Sequence, residues 1–276
     1  MRIAVGISLF YPRAENVRYI KNLVGSFDLV IVIDNSVEKS LGASLASEGE
    51  RLLYIAEHRN AGLAVAFNRM IEIVGARQFD GMLLLDQDSM FCIERLRAFV
   101  QAIANRIDSD VAVYCVRTYV PANDNAKRNE ALPSISERTW AISSGSVLNL
   151  RRLAEHDLRY DENLFLDHVD MDFCQHVISE GLRILMLNDY RFVQELGYEF
   201  KEGWAHPPFR EYYQVRDYLY LLRRDNIGSP VKNVIREFMS MLRVFFRGDG
   251  GHRFARMYFR ILGIRDAILK RTGPLA

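Results

Sequence analysis

Several features that assign a protein to a class at once are missing from this 276-residue sequence. It has no apolar run of about 18 residues, so we expect no membrane-spanning helix. The N-terminal stretch MRIAVGISLFYPR is too short in its apolar part to be a signal peptide. The three cysteines (Cys92, Cys115 and Cys174) are scattered and lack metal-site spacing. Their odd number suits a reduced, cytoplasmic setting.

A net charge is almost absent as well. The sequence has 36 Lys and Arg against 35 Asp and Glu, a net charge of +1, which gives no indication of nucleic-acid binding. The balance conceals an asymmetry, because residues 231–276 carry ten basic and three acidic side chains, a net charge of +7. The rest of the chain is therefore at −6. A basic tail of this kind predicts contact with an anionic surface.

Apolar strands alternate with amphipathic helices through the first 150 residues. Strand-like runs lie at 2–10, 28–35, 51–57, 81–86, 110–120 and 141–150, and helical spacing occurs at 14–27, 62–76 and 94–107. This alternation predicts an α/β fold with a mostly parallel sheet flanked by helices. We place one domain in residues 1–205 and a helical extension in residues 206–276. The polar stretch 121–138 is expected to be a long loop.

The segment LLLDQDSM (83–90) ends a predicted buried strand in two carboxylates, Asp86 and Asp88. Ligands of such sheets bind at the carboxyl ends of the strands, where Asp34 also ends a predicted strand. Two carboxylates at this spacing can reach one Mg²⁺ or Mn²⁺ that also carries a diphosphate. An Asx turn, or a helix cap formed by Asp88 or Ser89, explains the same residues without a ligand.

Two predicted helix starts carry further polar residues. Asn60, Gly62 and Asn68 surround the first, where a glycine permits close approach and the helix N-terminus favours an anionic substrate. An ordinary capped helix start is the alternative. The second helix start, after residues 164–166, is crowded by three carboxylates: Asp167, Asp170 and Asp172. Spacing alone does not separate a site there from a solvated acidic N-terminus.

These motifs, taken in order, resemble the family 2 glycosyltransferases with a GT-A fold. Within that family the chain looks most like the rhamnosyltransferase-type members that act on bacterial cell-surface polysaccharides. The resemblance covers about residues 3–225. It rests on seven segments: VIDNS (32–36), RNAGLAVAFN (59–68), LLLDQDS (83–89), SSGSVLNL (143–150), LFLDHVDMDFCQHVISEG (164–181), QELG (194–197) and HPPFREYYQVRDYLYLLRR (206–224).

The resemblance implies a role for each matching residue. Asp34 and Asn60 would lie along the donor nucleotide, Asp86 and Asp88 would serve the metal and the diphosphate, and Ser144 and Gly145 would line the acceptor side. Asp170 stands where the family has the acid of a glutamate–aspartate pair, and it would be the general base. The glutamate is replaced by Val169, which leaves Asp167 as a second candidate. Gln194 stands where the family often has histidine, which weakens the expectation of a strict metal requirement.

The implied function is inverting transfer of a sugar from a nucleoside diphosphate to a hydroxyl of a cell-surface glycan or polyprenyl-linked saccharide. The expected donor is dTDP-L-rhamnose, and the expected cofactor is Mg²⁺ or Mn²⁺. We expect the protein in the cytoplasm, and contact with the inner face of the membrane is one of the alternatives for its C-terminal helices. Two alternatives are a non-catalytic nucleotide-sugar-binding scaffold and a haloacid-dehalogenase-type phosphatase. The phosphatase would use Asp86 as nucleophile and RGDGGH (247–252) as its GDG loop.

The C-terminal part predicts three helices. One begins after Pro208, where His206, Arg210 and Tyr213 either close over the diphosphate or belong to a helix that packs on the core. The two others are basic and amphipathic and are separated by RGDGG (247–251). Such helices lie on an anionic membrane surface, pack on the catalytic domain or form a homodimer contact, and the sequence leaves these alternatives open.

Overall fold

The computed structural model describes residues 1–106, 108–119, 133–193, 198–200, 203–247 and 252–275. The chain forms two compact units. The first comprises Met1–Asp161 and Asp170–Glu195, and the second comprises Glu162–Val169 and Leu196–Ala276. The segment 162–169 thus groups with the C-terminal residues, although the sequence placed it in the first domain. The predicted boundary at residue 205 stays a prediction.

The first unit is built on a sheet of eight strands. They are β1 (Ile3–Leu9), β2 (Val30–Asp34), β3 (Leu52–Ala56), β4 (Gly81–Asp86), β5 (Val111–Tyr119), β6 (Ile135–Arg138), β7 (Ser146–Asn149) and β8 (Arg183–Val193). Their order is β3-β2-β1-β4-β7-β5-β8-β6. The strands β3, β2, β1 and β4 are parallel, as predicted, whereas β7 is antiparallel to both of its neighbours and β6 is antiparallel to β8. The sheet is therefore mixed beyond β4.

Helices cover this sheet with the apolar faces that the sequence predicts. They are α1 (Ala14–Val24), a 3₁₀ helix (Leu41–Ser47), α2 (Leu63–Ala76), α3 (Ile93–Ala104), α4 (Leu150–Glu155) and α5 (Val169–Ser179). Ile20 of α1, Phe67 and Met70 of α2, and Phe99 of α3 are all buried. The predicted helices at 14–27, 62–76 and 94–107 are confirmed.

Two predicted segments differ from the structure. Only Ser146–Asn149 of the predicted strand 141–150 is extended. The strand begins after Gly145, whose φ of 81° turns the chain, and it ends where Asn149 caps α4 by accepting a hydrogen bond from the Arg152 N–H at 3.4 Å. In the predicted loop 121–138, residues 135–138 instead pair with β8. Residues 121–132 of that loop lie outside the described residues.

The second unit is helical. It contains α6 (Arg210–Arg224), α7 (Pro230–Arg247) and α8 (Arg253–Ile268), together with a short hairpin of β9 (Tyr198–Phe200) and β10 (Gly203–Ala205). The three predicted helices are therefore confirmed. A Cβ added to Gly263 of α8 would lie only 2.6 Å from the Tyr212 carbonyl oxygen of α6, so the glycine permits the close contact of these helices. Val215 and Leu219 of α6 share a small core with Ile264 of α8.

Part of the positive charge predicted for the tail is paired inside this unit. Arg256 and Arg260 of α8 each donate to the Glu211 carboxylate at 2.7 Å, and Arg265 and Arg271 pair with Asp266. Arg256 and Arg260 thereby join α8 to α6, whereas Arg265 and Arg271 pair with a residue of α8 itself. Because the guanidiniums of Arg256 and Arg260 are directed into the unit, less positive charge faces solvent than the sequence count suggests.

Two expectations from the sequence can be compared with the structure, one on membrane-spanning helices and one on the cysteines. Within the described part of the chain, no helix combines the length and the apolar character needed to cross a membrane. The three cysteines are free thiols, with Cys92 exposed and the other two buried.

Candidate active site

The parallel strands bring Asp34 and Asp86 to the same edge of the sheet. Asp34 pairs with Leu9 of β1, and Asp86 pairs with Ser8 on the other side of the same strand. Because neighbouring strands lie about 4.8 Å apart, the two backbones are roughly 10 Å apart at this edge. Asp86 is half-buried, whereas Asp88 is exposed in the turn that follows β4. The next helix, α3, begins only after Cys92, so neither Asp88 nor Ser89 caps it.

The turn that carries Asp86 and Asp88 is anchored from several directions. The Ser144 hydroxyl accepts from the Asp86 N–H at 3.0 Å and donates to the Ser89 hydroxyl at 2.8 Å. The Gln87 side-chain oxygen accepts from the Phe10 N–H at 2.8 Å. These bonds fix the backbone of the turn. The two carboxylates are therefore held at the rim of the sheet. The predicted contact of Ser144 with an acceptor stays a prediction, since its buried hydroxyl holds the turn.

Asp34 is enclosed by donors. Its carboxylate accepts from the Ser36 N–H at 2.9 Å, the Tyr54 hydroxyl at 2.8 Å and the Ser40 hydroxyl. Burial opposes ionisation, but the hydrogen bonds from Ser36, Ser40 and Tyr54 outweigh it and leave the pKa of Asp34 below its ordinary value. Burial, followed by the hydrogen bond to Asp34, raises the pKa of Tyr54 to about 12. Asp34 therefore organises the loop after β2, and its predicted contact with the nucleotide stays a prediction.

The start of α2 has the geometry expected of an anion site. Gly62 has a φ of 89°, which favours glycine, and its N–H donates to the Asn60 side-chain oxygen at 3.2 Å. The Asn35 amide donates to the Gly62 carbonyl oxygen at 3.4 Å, so the start of α2 lies beside the end of β2, at the edge that carries Asp34 and Asp86. Asn60 and Gly62 thus shape the helix start, and direct contact with a substrate stays a prediction for both.

Asn68 lies in the protein interior, whereas its predicted role is contact with the substrate. It is buried, its amide donates to the Tyr160 carbonyl oxygen at 2.9 Å, and its side-chain oxygen accepts from the Tyr160 N–H at 2.9 Å. Both ends of the Asn68 amide therefore hold the main chain of Tyr160. Substrate binding by Asn68 stays a prediction, and these contacts give it no support.

Asp170 lies in the first turn of α5. Two adjacent serines, Ser143 and Ser144, connect it to Asp86. The Ser143 hydroxyl donates to Asp170 Oδ1 and lies 3.2 Å from the Tyr160 hydroxyl. Burial, followed by the nearby charge of Asp170, raises the pKa of Tyr160 well above its ordinary value. Because Ser143 holds Asp170 and the adjacent Ser144 holds the backbone of Asp86, one turn links the two carboxylates.

Gly145 completes this turn. A Cβ at this position would lie 2.9 Å from a methyl group of Val116, and the Gly145 N–H donates to the Leu84 carbonyl oxygen at 2.8 Å. Together with its positive φ, this contact explains the glycine by backbone geometry. The predicted role of Gly145 on the acceptor side stays a prediction.

Three predicted site residues form a cluster within the second unit. Arg210 donates to both oxygens of Asp167, at 2.8 and 3.5 Å, and also to His206 Nδ1 at 3.2 Å. Burial, followed by the Arg210 charge, lowers the pKa of His206, so the imidazole is neutral at pH 7. A carboxylate held by a guanidinium gives up a charge-assisted pair when it takes a proton. This arrangement favours Asp170 over Asp167 as a general base.

Tyr213 is a core residue in this structure. Its ring stacks on Phe165 with centroids 4.8 Å apart, and its hydroxyl accepts from the Leu275 N–H at 3.0 Å. For Tyr213, the structure agrees with the alternative in which the helix after Pro208 packs on a core. Its predicted contact with the diphosphate stays a prediction.

Sequence reasoning missed two pairs of residues. Ser143 begins the segment SSGSVLNL but received no role from it, and Tyr160 lies outside the quoted segments, because only the fold brings the two residues to Asp170. Phe10 and Tyr11 form the second pair, with exposed rings 4.8 Å apart at the end of β1. The Tyr11 N–H is bound to the Ser36 hydroxyl at 2.7 Å, and Tyr11 has a φ of 46°. The sequence signal for this pair was two aromatic residues before a proline at the end of a predicted strand. Such rings can stack on a nucleotide base.

Asp86 and Asp88 suit a metal that arrives with its substrate. Over the described residues, no three His, Cys, Asp or Glu side chains come together as a metal site. The two carboxylates offer oxygen ligands, which Mg²⁺ and Mn²⁺ prefer, and these ions commonly take the remaining oxygens from phosphate and water. The donor set therefore fits a cation shared with a diphosphate. Gln194, which bears on this prediction, lies outside the described residues.

Comparison with known proteins gives one relative by sequence. The dTDP-rhamnosyl transferase RfbF of Shigella flexneri is 26% identical over 262 residues, which cover 88% of this chain and 87% of RfbF. No protein-family model matches the chain.

Solved structures with a similar fold are more distant in sequence. TarS of S. aureus has a TM-score of 0.55 at 13% identity, covering 91% of this chain; the chain spans only 44% of that TarS structure. The 1–349 form of TarS in complex with UDP-GlcNAc has a TM-score of 0.53 at 15% identity, with 97% and 82% covered. GalNAc-T7 with UDP, GalNAc and Mn²⁺ has a TM-score of 0.52 at 11% identity, with 79% and 51% covered.

The chain has the GT-A glycosyltransferase fold. The predicted fold and the resemblance to family 2 glycosyltransferases are thereby confirmed. The phosphatase alternative requires a different fold and is not supported.

The hydrogen bonds of Asp34 predict a pH-dependent contribution to stability. A carboxylate with a lowered pKa stabilises the folded state above its unfolded pKa of about 3.9, and this contribution is lost as the pH falls through the folded pKa. We expect Asp34→Asn to lower the free energy of unfolding by about 2 kcal/mol at pH 7. The difference from wild type should shrink below pH 4.

Urea unfolding between pH 3 and pH 7 measures this effect. Asp28→Asn, at an exposed position, is the matched control and should leave stability nearly unchanged. A loss in Asp34→Asn that is equal at every pH would contradict the account.

Proposed function

We propose that the protein is an inverting glycosyltransferase that moves a sugar from a nucleoside diphosphate to a hydroxyl of a saccharide acceptor. One observation carries the proposal. Asp86, at the end of a central strand, and Asp170, at the start of α5, are bound to adjacent serines of a single turn. Carboxylates at the diphosphate end and at the nucleophile end of a reaction are what such a transfer needs.

Asp170 has the chemistry of the general base. It withdraws the proton from the attacking acceptor hydroxyl while the bond from the sugar to the diphosphate breaks on the opposite face, so the anomeric centre inverts. A positioned base contributes about 10²–10⁴-fold to the rate. The positive end of α5 stabilises the carboxylate before it takes the proton.

The other end of the reaction is the departing diphosphate, which gains negative charge. The first N–H groups of α2 are in place to stabilise this charge through hydrogen bonds and the helix dipole. Asp86 and Asp88 would hold Mg²⁺ or Mn²⁺, which supplies positive charge to the phosphate oxygens when bound. The anchored turn after β4 keeps both carboxylates in position.

We further propose dTDP-L-rhamnose as the donor, and a cell-surface glycan or polyprenyl-linked saccharide as the acceptor. The support is the similarity to RfbF, named a dTDP-rhamnosyl transferase, together with the motifs of the rhamnosyltransferase-type members. The TarS complex with UDP-GlcNAc and the GalNAc-T7 complex with UDP and Mn²⁺ show that the fold carries nucleotide sugars and a metal in other proteins. The exposed rings of Phe10 and Tyr11 offer a surface for the base.

A binding screen tests the donor. We expect dTDP-L-rhamnose to raise the melting temperature more than UDP-GlcNAc or UDP-glucose, and more strongly with Mn²⁺ or Mg²⁺ than with EDTA, because a ligand of the folded state raises its stability. Asp88→Asn should remove the metal-dependent part. No shift and no release of nucleoside diphosphate with any nucleotide sugar would contradict the proposal; binding without release would indicate a scaffold.

A pair of substitutions tests the base. Asp170→Asn should lower kcat by at least about 100-fold while donor affinity stays within about twofold, because the amide cannot accept the proton. Asp167→Asn is the matched control and should retain more activity, since Asp167 is engaged by Arg210. Activity that survives in Asp170→Asn and disappears in Asp167→Asn would reverse the assignment.

We also propose that the second unit rests on the anionic inner face of the membrane, where a lipid-linked acceptor is displayed. Val231, Ile235 and Phe238 recur at helical spacing on α7 and are all exposed. Basic residues flank this face, Lys232 and Arg236 among them, and both are exposed. An exposed apolar face bordered by basic residues is typical of helices that lie in a membrane interface.

Vesicle sedimentation tests the membrane contact. A variant with Val231→Ser, Ile235→Ser and Phe238→Ser should bind phosphatidylglycerol vesicles at least about fivefold more weakly than wild type, because each lost apolar contact lowers the affinity. The control replaces the exposed Val37 and Leu41 of the first unit by serine. Unchanged vesicle binding would refute the proposal. A change from dimer to monomer without a change in vesicle binding would assign the face to a homodimer contact.

A further inference from the structure

A chain of side chains leads from the buried interior to Asp170. Asn68 of α2 holds the main chain of Tyr160 through two hydrogen bonds of 2.9 Å. The Tyr160 hydroxyl lies 3.2 Å from the Ser143 hydroxyl, and the Ser143 hydroxyl donates to Asp170 Oδ1. All four residues belong to the first unit. They come from separate parts of the chain, so the connection exists only in the folded protein.

The direction of these hydrogen bonds follows from counting protons. A serine hydroxyl has a single proton, and Ser143 gives it to the carboxylate of Asp170. Ser143 must then accept from Tyr160, so Tyr160 is the donor at the start of the chain. Burial, followed by the charge of Asp170, raises the pKa of Tyr160 well above its ordinary value, so this phenol is protonated at neutral pH. Both hydrogen bonds are therefore oriented toward Asp170.

Tyr160 is held too firmly to serve as a flexible donor. Its ring stacks on Phe173 of α5 with centroids 4.1 Å apart and also packs on Phe67 at 5.1 Å. A small cavity beside Ser143 and Asp170 has mainly apolar walls, including Val113 and Phe173. In such surroundings a hydrogen bond is stronger than in water. The chain thus fixes the orientation of the Asp170 carboxylate.

Other ionisable groups lie near Asp170. Burial raises the pKa of the Cys174 thiol to about 11, so it is neutral. Asp86 carries a charge of the same sign as Asp170, and both charges act on Tyr160. On α5 itself, Asp172 is buried and faces His176 at 3.7 Å.

We propose that Ser143 and Tyr160 are positioning residues that orient Asp170 and stabilise its ionised form for proton removal from the acceptor. The inference rests on the proposed role of Asp170 as the base. It assigns a function to two residues that received none from the sequence, and it accounts for the buried contact of Asn68 with Tyr160.

Three variants test the chain: Ser143→Ala, Tyr160→Phe and the double variant. Ser143→Ala should lower kcat about tenfold and move the acidic limb of the kcat–pH profile up by about one pH unit, because the carboxylate loses a hydrogen bond to its charged form. Tyr160→Phe keeps the ring packing and should change both quantities in the same direction by a smaller amount, about threefold in kcat. The KM for the donor should stay within about twofold in each variant.

The double variant separates a chain from two independent effects. Because Tyr160 acts through Ser143, we expect the double variant to match Ser143→Ala, which is a coupling that independent sites do not show. Ser146→Ala is the control, since this buried hydroxyl of the same turn donates to the Ile142 carbonyl oxygen at 2.6 Å. It should leave the pH profile unchanged. If Ser143→Ala does not fold, Tyr160→Phe alone carries the test through the pH profile.

Two outcomes would overturn the inference: an unchanged acidic limb in both single variants, or losses that add fully in the double variant. Asp170→Asn distinguishes this result from a failure of the proposed function. If Asp170→Asn remains active, the base assignment itself is wrong. If Asp170→Asn is inactive while Ser143→Ala and Tyr160→Phe keep the wild-type pH profile, only the positioning chain is wrong.

Discussion

A carboxylate at the end of a buried strand is costly unless hydrogen bonds or a cation compensate its charge, and this constraint shapes the first unit. One short turn, residues 143–145, connects the two carboxylates of the candidate site. Ser144 holds the backbone that carries Asp86, and Ser143 holds the carboxylate of Asp170. Gly145 makes the turn possible because its φ of 81° and its contact with Val116 leave no room for a side chain. The candidate site depends on this turn more than on any other local feature.

The acidic residues of the chain differ in function because their surroundings differ. Asp34 is enclosed by donors and organises a loop. Asp167 is paired with Arg210. Asp86 and Asp88 stand at the rim of the sheet, and Asp170 accepts a hydrogen bond from Ser143 at the start of a helix. The same side chain is thus a structural anchor at one position and an ion-pair partner at another, and we propose it as a metal ligand and as a base at the remaining ones.

The sequence predicts the elements well and the contacts between them poorly. Continuous apolar strands and helical spacing locate most of the sheet and its helices, because burial on both faces leaves a clear pattern. The antiparallel insertion of β7 between β4 and β5 has no such pattern, since its four residues look like any buried strand. Segment 135–138 is short and polar, so its pairing with β8 was not visible.

The sequence likewise indicates some residues of the candidate site and misses others. Asp86 and Asp170 stand out because carboxylates follow apolar runs. Ser143 and Tyr160 do not, since a serine before a glycine and a tyrosine in a loop are common, and only the fold brings them together. Tyr213 shows a different ambiguity of the sequence. Its helical spacing is the same whether it faces a ligand or a core, and the structure buries it against Phe165.

The account's central claim is that Asp86 and Asp88 hold the diphosphate end of a donor whose sugar faces Asp170. A crystal structure with Mn²⁺ and a non-hydrolysable dTDP-sugar analogue, with anomalous diffraction to locate the metal, tests it most directly. The account predicts an anomalous peak between the two carboxylates and the diphosphate, with the anomeric carbon on the Asp170 side. A nucleotide bound away from the edge formed by β2, β1 and β4, or a sugar ring turned away from Asp170, would contradict it.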